Sequence, residues 1–303
     1  MISLLLMIGT ASLFAAPSDV VLPRNQILIR GAMPASSDEA TPVPESGAVA
    51  ANTYRNPYFG LVYAAPAGWL QQADGPPPSD TGTYVLAQFA IYDTAHERMR
   101  ANVLLTAQDL FFTPLEVTTG KELLDALRKS LSSHFVLEPG PAELTIGGRS
   151  FTRLAYSSPV AGLRWRILST DVRCHALRFT FTGTDPKLLD AAERSFSKMD
   201  LSALANDAPP CVAGYAAAEH VVEKTDPRLT GSHVNTIPAR VVIDAEGRVK
   251  SVHILSAFPD QSAEILAALK SWRFQPYIHD GQAEEVETGI TFGYVPAVRR
   301  KAQ

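Results

Sequence analysis

Hydrophobic positions recur along this chain with two different periods, and where the recurrence lapses the chain turns to proline and small residues. Between Tyr54 and Ala205, short alternating runs are interleaved with two runs of helical period. Thr119 and Glu122 have the spacing of a capping box, after which Leu123, Leu124, Leu127 and Leu131 fall on one helical face. Asp185 and Pro186 open a second helix that buries Leu188, Leu189, Ala192 and Phe196. Between the two, ELTI and RSFTRLAY meet at a Gly147-Gly148 hairpin turn and are followed by GLRWRILST and RCHALRFTFTG. Strands gathered together with helices at either end predict an antiparallel sheet with the helices on one face. In the last of these strands Leu177, Phe179 and Phe181 share one face, which puts Cys174 on the other with Arg178 and Thr180.

A second patterned block starts at Cys211. PARVVIDAEGRVKSVHIL reads as two strands joined at Asp244-Ala-Glu-Gly247, with Val241 and Ile243 before the turn and Val252 and Ile254 carrying the alternation after it. Pro259 and Asp260 cap a helix whose apolar stripe is Ile265, Leu266, Leu269 and Trp272. EEVETGITFGYV then alternates Val286, Thr288, Ile290, Phe292 and Tyr294 against Glu285, Glu287, Gly289 and Thr291. The result is a small β-β-α-β unit. Together the two blocks predict an α+β protein of two domains, and 303 residues at ~150 per domain fit that count.

Met1 to Ala16 is uncharged and apolar, ending in small residues before Pro17, in the outline of a secretory signal peptide without a positive n-region. It falls short of the roughly 20 residues that ~30 Å of hydrocarbon takes, so cleavage after export is favoured over anchoring, and membrane contact follows only if residues 1–16 are uncleaved. Residues 17–53, rich in Pro, Ala and Ser, read as a flexible tether with a possible short strand at Gln26 to Ile29. The first domain covers 54–205, Asn206 to Pro210 is a boundary, the second domain covers 211–297, and 298–303 is a basic tail. Export to an oxidising compartment allows Cys174 and Cys211 to bond, which would remove roughly 4 kcal/mol of denatured-state entropy. Two independent thiols are the other reading.

Composition adds exclusions. With Lys+Arg 27 against Asp+Glu 31 the chain lacks the basic balance of a nucleic acid binder. Two cysteines are too few for a four-thiolate zinc site, and the seven histidines show no metal-ligand spacing, so neither metal nor cofactor is expected. G-x-S-x-G, G-x-G-x-x-G, Walker-type and H-E-x-x-H motifs do not occur; TTGKE at Thr118 to Glu122 lacks the first glycine of a phosphate loop. His175 beside Cys174 would be a nucleophile pair only if strand neighbours shared a face, which they do not. The expectation is a protein without catalysis.

Two resemblances sharpen this. YRNPYFGLVYAAPAGWL and FTFTGTDPKLLDAAERSFSKMDL resemble the start and the close of PsbP-like domains, which implies an α/β sandwich common in extracytoplasmic proteins; Tyr58 and Trp69 would then be core, or line a ligand site. The second block resembles the C-terminal domain of TonB, which couples an inner-membrane motor to outer-membrane receptors. The likeness is carried by Ile243-Asp244-x-x-Gly247, a helix ending in Trp272-Arg273-Phe274-x-Pro276, Asp280-Gly281 and Ile290-Thr291-Phe292. Trp272 and Phe274 would lock the helix end onto the sheet, Pro276 would stop the helix, and Gly281 would allow the return. The resemblance implies that Glu287, Thr288, Gly289, Ile290, Thr291, Phe292, Gly293 and Tyr294 form an edge strand that takes up an extended peptide of an envelope protein. A long spacer with charge runs is missing, and HVNTIPAR stands where that family usually has a Tyr-Pro pair. The expected function is therefore a periplasmic or secreted docking protein. The alternatives are a membrane-anchored energy transducer for outer-membrane transport, or an envelope ligand-binding protein or enzyme using the first domain.

Overall fold

The computed structural model describes residues 29–71, 75–93, 95, 98–199, 201, 203–204, 208–229 and 233–293. The proposed signal segment, the basic tail, most of the possible strand at Gln26 to Ile29, and Tyr294 lie outside the described residues. In chain order the elements are β1 (Met33–Ser36), β2 (Ala48–Ala50), β3 (Thr53–Asn56), β4 (Leu61–Ala64), β5 (Leu70–Gln71), β6 (Thr83–Asp93), β7 (Arg98–Asp109), α1 (Gly120–Ser130), β8 (Val136–Leu137), β9 (Glu143–Ile146), β10 (Arg149–Ser158), β11 (Leu163–Val172), β12 (His175–Gly183) and α2 (Pro186–Phe196). The second half adds β13 (Val221–Glu223), β14 (Thr236–Ile243), β15 (Val249–Ala257), α3 (Pro259–Leu269), β16 (Arg273–Phe274), β17 (Tyr277–His279), β18 (Gln282–Glu284) and β19 (Val286–Gly293). The architecture is α+β, with mostly antiparallel sheets in two domains.

The first domain is built on an antiparallel sheet ordered β5-β6-β7-β12-β11-β10-β8, with β9 pairing β10. Thr119 caps α1 by accepting the Glu122 amide, while the Glu122 carboxylate reaches back to the Thr118 amide at 2.6 Å. Asp185 caps α2, with Pro186 in its first turn. The two helices do not share a face. Leu124 of α1 packs with Leu154, Tyr156 and Ile167, whereas Leu189, Ala192 and Phe196 of α2 pack with Phe151, Leu168 and Phe179. Residues 151 and 154 of β10, like 167 and 168 of β11, point to opposite sides, so these strands are apolar on both faces and need covering on both. Alternation in β12 alone, which is apolar on one face, hides that second demand.

The second sheet has the order β1-β15-β14-β19, so the strand that completes it comes from before the first domain. Part of the stretch expected to be a tether is thus a strand, and the first domain is an insertion within the second. The pairing rests on few apolar atoms: Ala35 packs on the core, Ser37 Oγ accepts the Val252 amide at 3.1 Å, and Asp38 turns the chain by accepting the Ala40 and Thr41 amides. One face of this sheet buries Ile237, Ala239, Val241, Val252, Ile254 and Val286 against Ile265 and Leu269 of α3. Its other face lies on the first domain, whose core includes Leu255 of β15.

Helix α3 ends earlier than expected. Its last residue is Leu269, and Trp272, Arg273, Phe274 and Pro276 lie beyond it. Pro276 therefore does not stop the helix; Arg273–Phe274 is already strand, held by the Phe274 amide donating to Gly247 O at 2.8 Å. Gly247 is required there, since a Cβ on it would lie 2.0 Å from Phe274 O and its φ is +79°. Asp280-Gly281, both left-handed, make the tight β17–β18 return.

Candidate functional site

Strand β19 is paired with β14 on one side only, in the register Ile243↔Val286 to Thr236↔Gly293. Its other side carries main-chain groups that look outward. Glu287 donates its amide to Pro210 O and accepts from Val212 N, both at 3.0 Å and both on that outer side. The two-residue alternation of an antiparallel ladder then puts the main-chain groups of Gly289, Thr291 and Gly293 outward as well, and turns Val286, Thr288, Ile290 and Phe292 toward β14. Among the described residues no main-chain partner lies beyond Glu287 on the outer side. A groove of about 570 Å³ runs along this open half, bounded by Ile290 to Gly293 on one wall and by residues from Ala216 to Asp226 on the other, with Trp272 between them.

Trp272 is held in place by its indole N–H donating to Thr225 O at 2.9 Å, by Phe274 and Phe292 against its ring, and by Lys224 Nζ 5.4 Å from its centroid. An extended peptide laid along β19 would find backbone donors and acceptors on one side, apolar carbon beneath it, and the Lys224 ammonium paired at 3.0 Å with the Asp226 carboxylate on the same wall. Arg273, by contrast, donates to the carbonyls of Lys270 and Trp272 and closes the turn after α3. Asp244 accepts the Glu246 and Arg248 amides and fixes the β14–β15 turn. These motif residues build the sheet that presents the edge; they do not line it.

Behind β19 lies a buried charge cluster joining the two domains. Arg240 of β14 donates to Asp109 Oδ2 at 2.6 Å through Nη1, to Glu287 Oε1 at 3.1 Å through Nε, and to the Arg173 carbonyl at 3.2 Å through Nη2. Asp109 is 0% exposed, Arg240 2% and Glu287 3%. Burial pushes the Asp109 carboxyl above its ordinary range, against the pull of Arg240. Burial also works against the charge on Arg240, but Asp109 and Glu287 overcome it and hold the guanidinium well above its usual pKa. His175, fully buried, is pushed well below the usual histidine range by burial and by Arg240, so it is neutral and its Nδ1–H donates to Arg173 O at 2.6 Å. The Arg173 guanidinium caps the Tyr58 ring at 4.0 Å, and the Tyr58 hydroxyl donates to Glu287 Oε1 at 3.4 Å. Phe111 closes the cluster from the first domain and lies so near Gly289 that a Cβ there would come within 2.7 Å of it.

Nearby, Ser36 Oγ is 3.1 Å from His253 Nδ1, and His253 Nε2 is 3.2 Å from Glu45 Oε1. A hydroxyl, an imidazole and a carboxylate in line resemble a nucleophile relay, but the cavity beside them is about 50 Å³, room for water and not for an acyl or glycosyl group. The array ties β1 to β15 and to the loop before β2 that carries Glu45.

Cys174 and Cys211 form a disulfide across 37 positions, with Cα atoms 5.7 Å apart. Cys174 is not on a strand face as the alternation suggested: it is the second residue of the two-residue turn between β11 and β12, with Arg173 and Cys174 both left-handed. The two sulfurs and a Glu287 oxygen lie within 4.8 Å of one another. While the sulfurs are bonded to each other they offer no thiolate to a metal ion. Tyr58 and Trp69 are both 4% exposed and belong to the first core.

Sequence reasoning missed Arg240 because alternation with Ala239 and Val241 assigns it a solvent face, Asp109 because an acid ends the buried face of β7 that Val103, Leu105 and Ala107 begin, and Phe111 because it lies in the turn after that strand. A single arginine between Ala239 and Val241-Val242 was the available signal. Among the described residues no helix is long and apolar enough to cross a membrane. Residues 236–296 match the family model of the Gram-negative bacterial TonB protein C-terminal. No curated protein matches the chain.

Proposed function

From the TonB C-terminal segment and the half-open edge of β19, we propose that this is a non-catalytic periplasmic docking protein. It takes up an extended segment of another envelope protein as an added strand along Gly289 to Gly293. The observation that carries the reading is the bridge between Cys211 and Glu287: the chain's own Pro210–Val212 already lies against this edge as a short parallel strand, so the edge accepts one. Residues 1–16 serve as the export address. The first domain, with PsbP-like architecture, is a rigid carrier; burial of Tyr54, Asn56, Tyr63 and Trp69, at positions that carry that resemblance, supports the assignment. The family match carries a second reading, a membrane-anchored transducer for outer-membrane transport, which would use the same edge and differ in retaining residues 1–16.

The test is photocrosslinking in the native envelope from a reactive side chain at Val222, 66% exposed on the groove wall, with the same group at Val160, 89% exposed on the first domain, as control. Docking along β19 gives an adduct from Val222 that disappears when Thr291→Pro removes an outward amide. An adduct indifferent to Thr291→Pro in a folded chain, or equal adducts from both positions, overturns it.

A further inference from the structure

Among the described residues the outer side of β19 is open for only half of its length. Its first half is occupied by Pro210–Val212, whose ladder among the described residues is two main-chain bonds to Glu287. Pro209 and Pro210 have no amide to donate, Cys211 is exposed, and Val212 contributes a half-buried side chain to the second core. Firm anchoring resumes at Tyr215, whose hydroxyl donates to Gln275 O at 2.7 Å. What fixes this stub is the covalent link from its middle residue, Cys211, to Cys174. The turn at the other end of that link has Arg173 at φ 49° and Cys174 at φ 61°, left-handed positions that residues with a Cβ adopt at a cost.

We propose that the Cys174–Cys211 disulfide is a redox latch that sets the length of the docking edge. Oxidised, it holds the stub down and leaves Gly289, Thr291 and Gly293 for a partner. Reduced, it releases the stub, and the amide and carbonyl of Glu287 join the open edge, so the site takes an extended peptide about two residues longer. The reductant is a protein dithiol of the envelope. Its thiolate attacks the exposed Cys211 sulfur, forming a mixed disulfide as the bond to Cys174 breaks and Cys174 leaves as a thiolate that takes up a proton. The second thiol of the reductant then displaces Cys211, so two electrons and two protons pass to the latch and the reductant ends as its own disulfide. The inference rests on β19 being the docking edge, yet the movement can be measured without a partner.

The experiment is amide hydrogen exchange on the whole chain, oxidised and then reduced with dithiothreitol at neutral pH. The Glu287 amide is expected to lose at least about tenfold protection on reduction, while Val286, Thr288 and Ile290, which bond to β14, keep theirs. Cys174→Ser under oxidising conditions should reproduce the same pattern. Unchanged exchange at Glu287 overturns the latch, because the stub then stays without its tether. Protection lost together at Glu287, Val241 and Phe179 overturns it too, since the bond would then be a staple for the whole fold. If Thr291→Pro leaves crosslinking from Val222 unchanged while Glu287 still opens on reduction, it is the docking reading that fails and not the movement.

Discussion

Replacing Arg240 by methionine keeps the length of the side chain but removes the charge that sits between two buried carboxylates. Asp109 and Glu287, 0% and 3% exposed, would then face each other through the domain junction with no cation on Arg240's side. Breaking a buried pair from one side costs about 3–5 kcal/mol. A second route gives a similar figure. The cheapest relief is for one carboxyl to take a proton, and holding neutral at pH 7 a group that ordinarily ionises near 4 costs about three pH units at about 1.4 kcal/mol each, roughly 4 kcal/mol. If protonation is the relief, the deficit of Arg240→Met shrinks as the solution is acidified, by about 2.7 kcal/mol between pH 7 and pH 5. Urea unfolding of the oxidised chain and of Arg240→Met at both pH values, followed by circular dichroism, reads this directly. Adding Glu287→Gln to Arg240→Met should recover part of the loss, because the second substitution removes one of the stranded charges. A deficit within about 0.5 kcal/mol at pH 7, or one that does not narrow at pH 5, would mean that water reaches the cluster and that the domains are not joined through it.

Other expectations follow from the same geometry. Ile290→Pro removes an amide that bonds to β14 and should cost about 3 kcal/mol or more, whereas Thr291→Pro, on the outward side, should leave the melting temperature nearly unchanged. Neutral, buried His175 makes folding sensitive to mild acid. The unfolded imidazole takes up a proton below about 6.5 and the folded one does not, so stability is full above that pH and falls as pH drops, by at most about 1.4 kcal/mol per unit. Asp109, raised by burial, contributes with the opposite sign at lower pH, and His175→Gln should abolish only the loss that begins near 6.5. Gly247→Ala should cost at least about 2 kcal/mol through its approach to Phe274 O, while Gly148→Ala, at φ +80° with open space around it, should cost about 1 kcal/mol, measured by urea unfolding.

Much of the fold was legible because local chemistry and global packing agree. Thr119 and Asp185 cap the helices they announce, Gly147-Gly148 and Asp280-Gly281 turn their hairpins, and β19 alternates as written. Three features were not legible, each for a physical reason. Met33–Ser36 joins the second sheet through main-chain bonds and one alanine, so no apolar period marks it. The polar face of the second sheet reads as solvent-facing, yet it meets the first domain through Arg240 and Glu287, since opposite charges paired with one another can be buried where single charges cannot. The edge position of β19 was legible, but its half-occupied state was not: PPC carries no strand signal, and the segment reaches Glu287 beside the bond from Cys211 to Cys174.

The most direct test of docking along β19 is residue-resolved amide exchange of the oxidised chain, alone and bound to the envelope protein crosslinked from Val222. Addition of a strand predicts new protection at Gly289, Thr291 and Gly293 in alternation, with Thr288, Ile290 and Phe292 unchanged because β14 already holds them. Protection without that alternation, or confined to the first domain, would show that the partner binds elsewhere and that the edge of β19 is not where this protein docks.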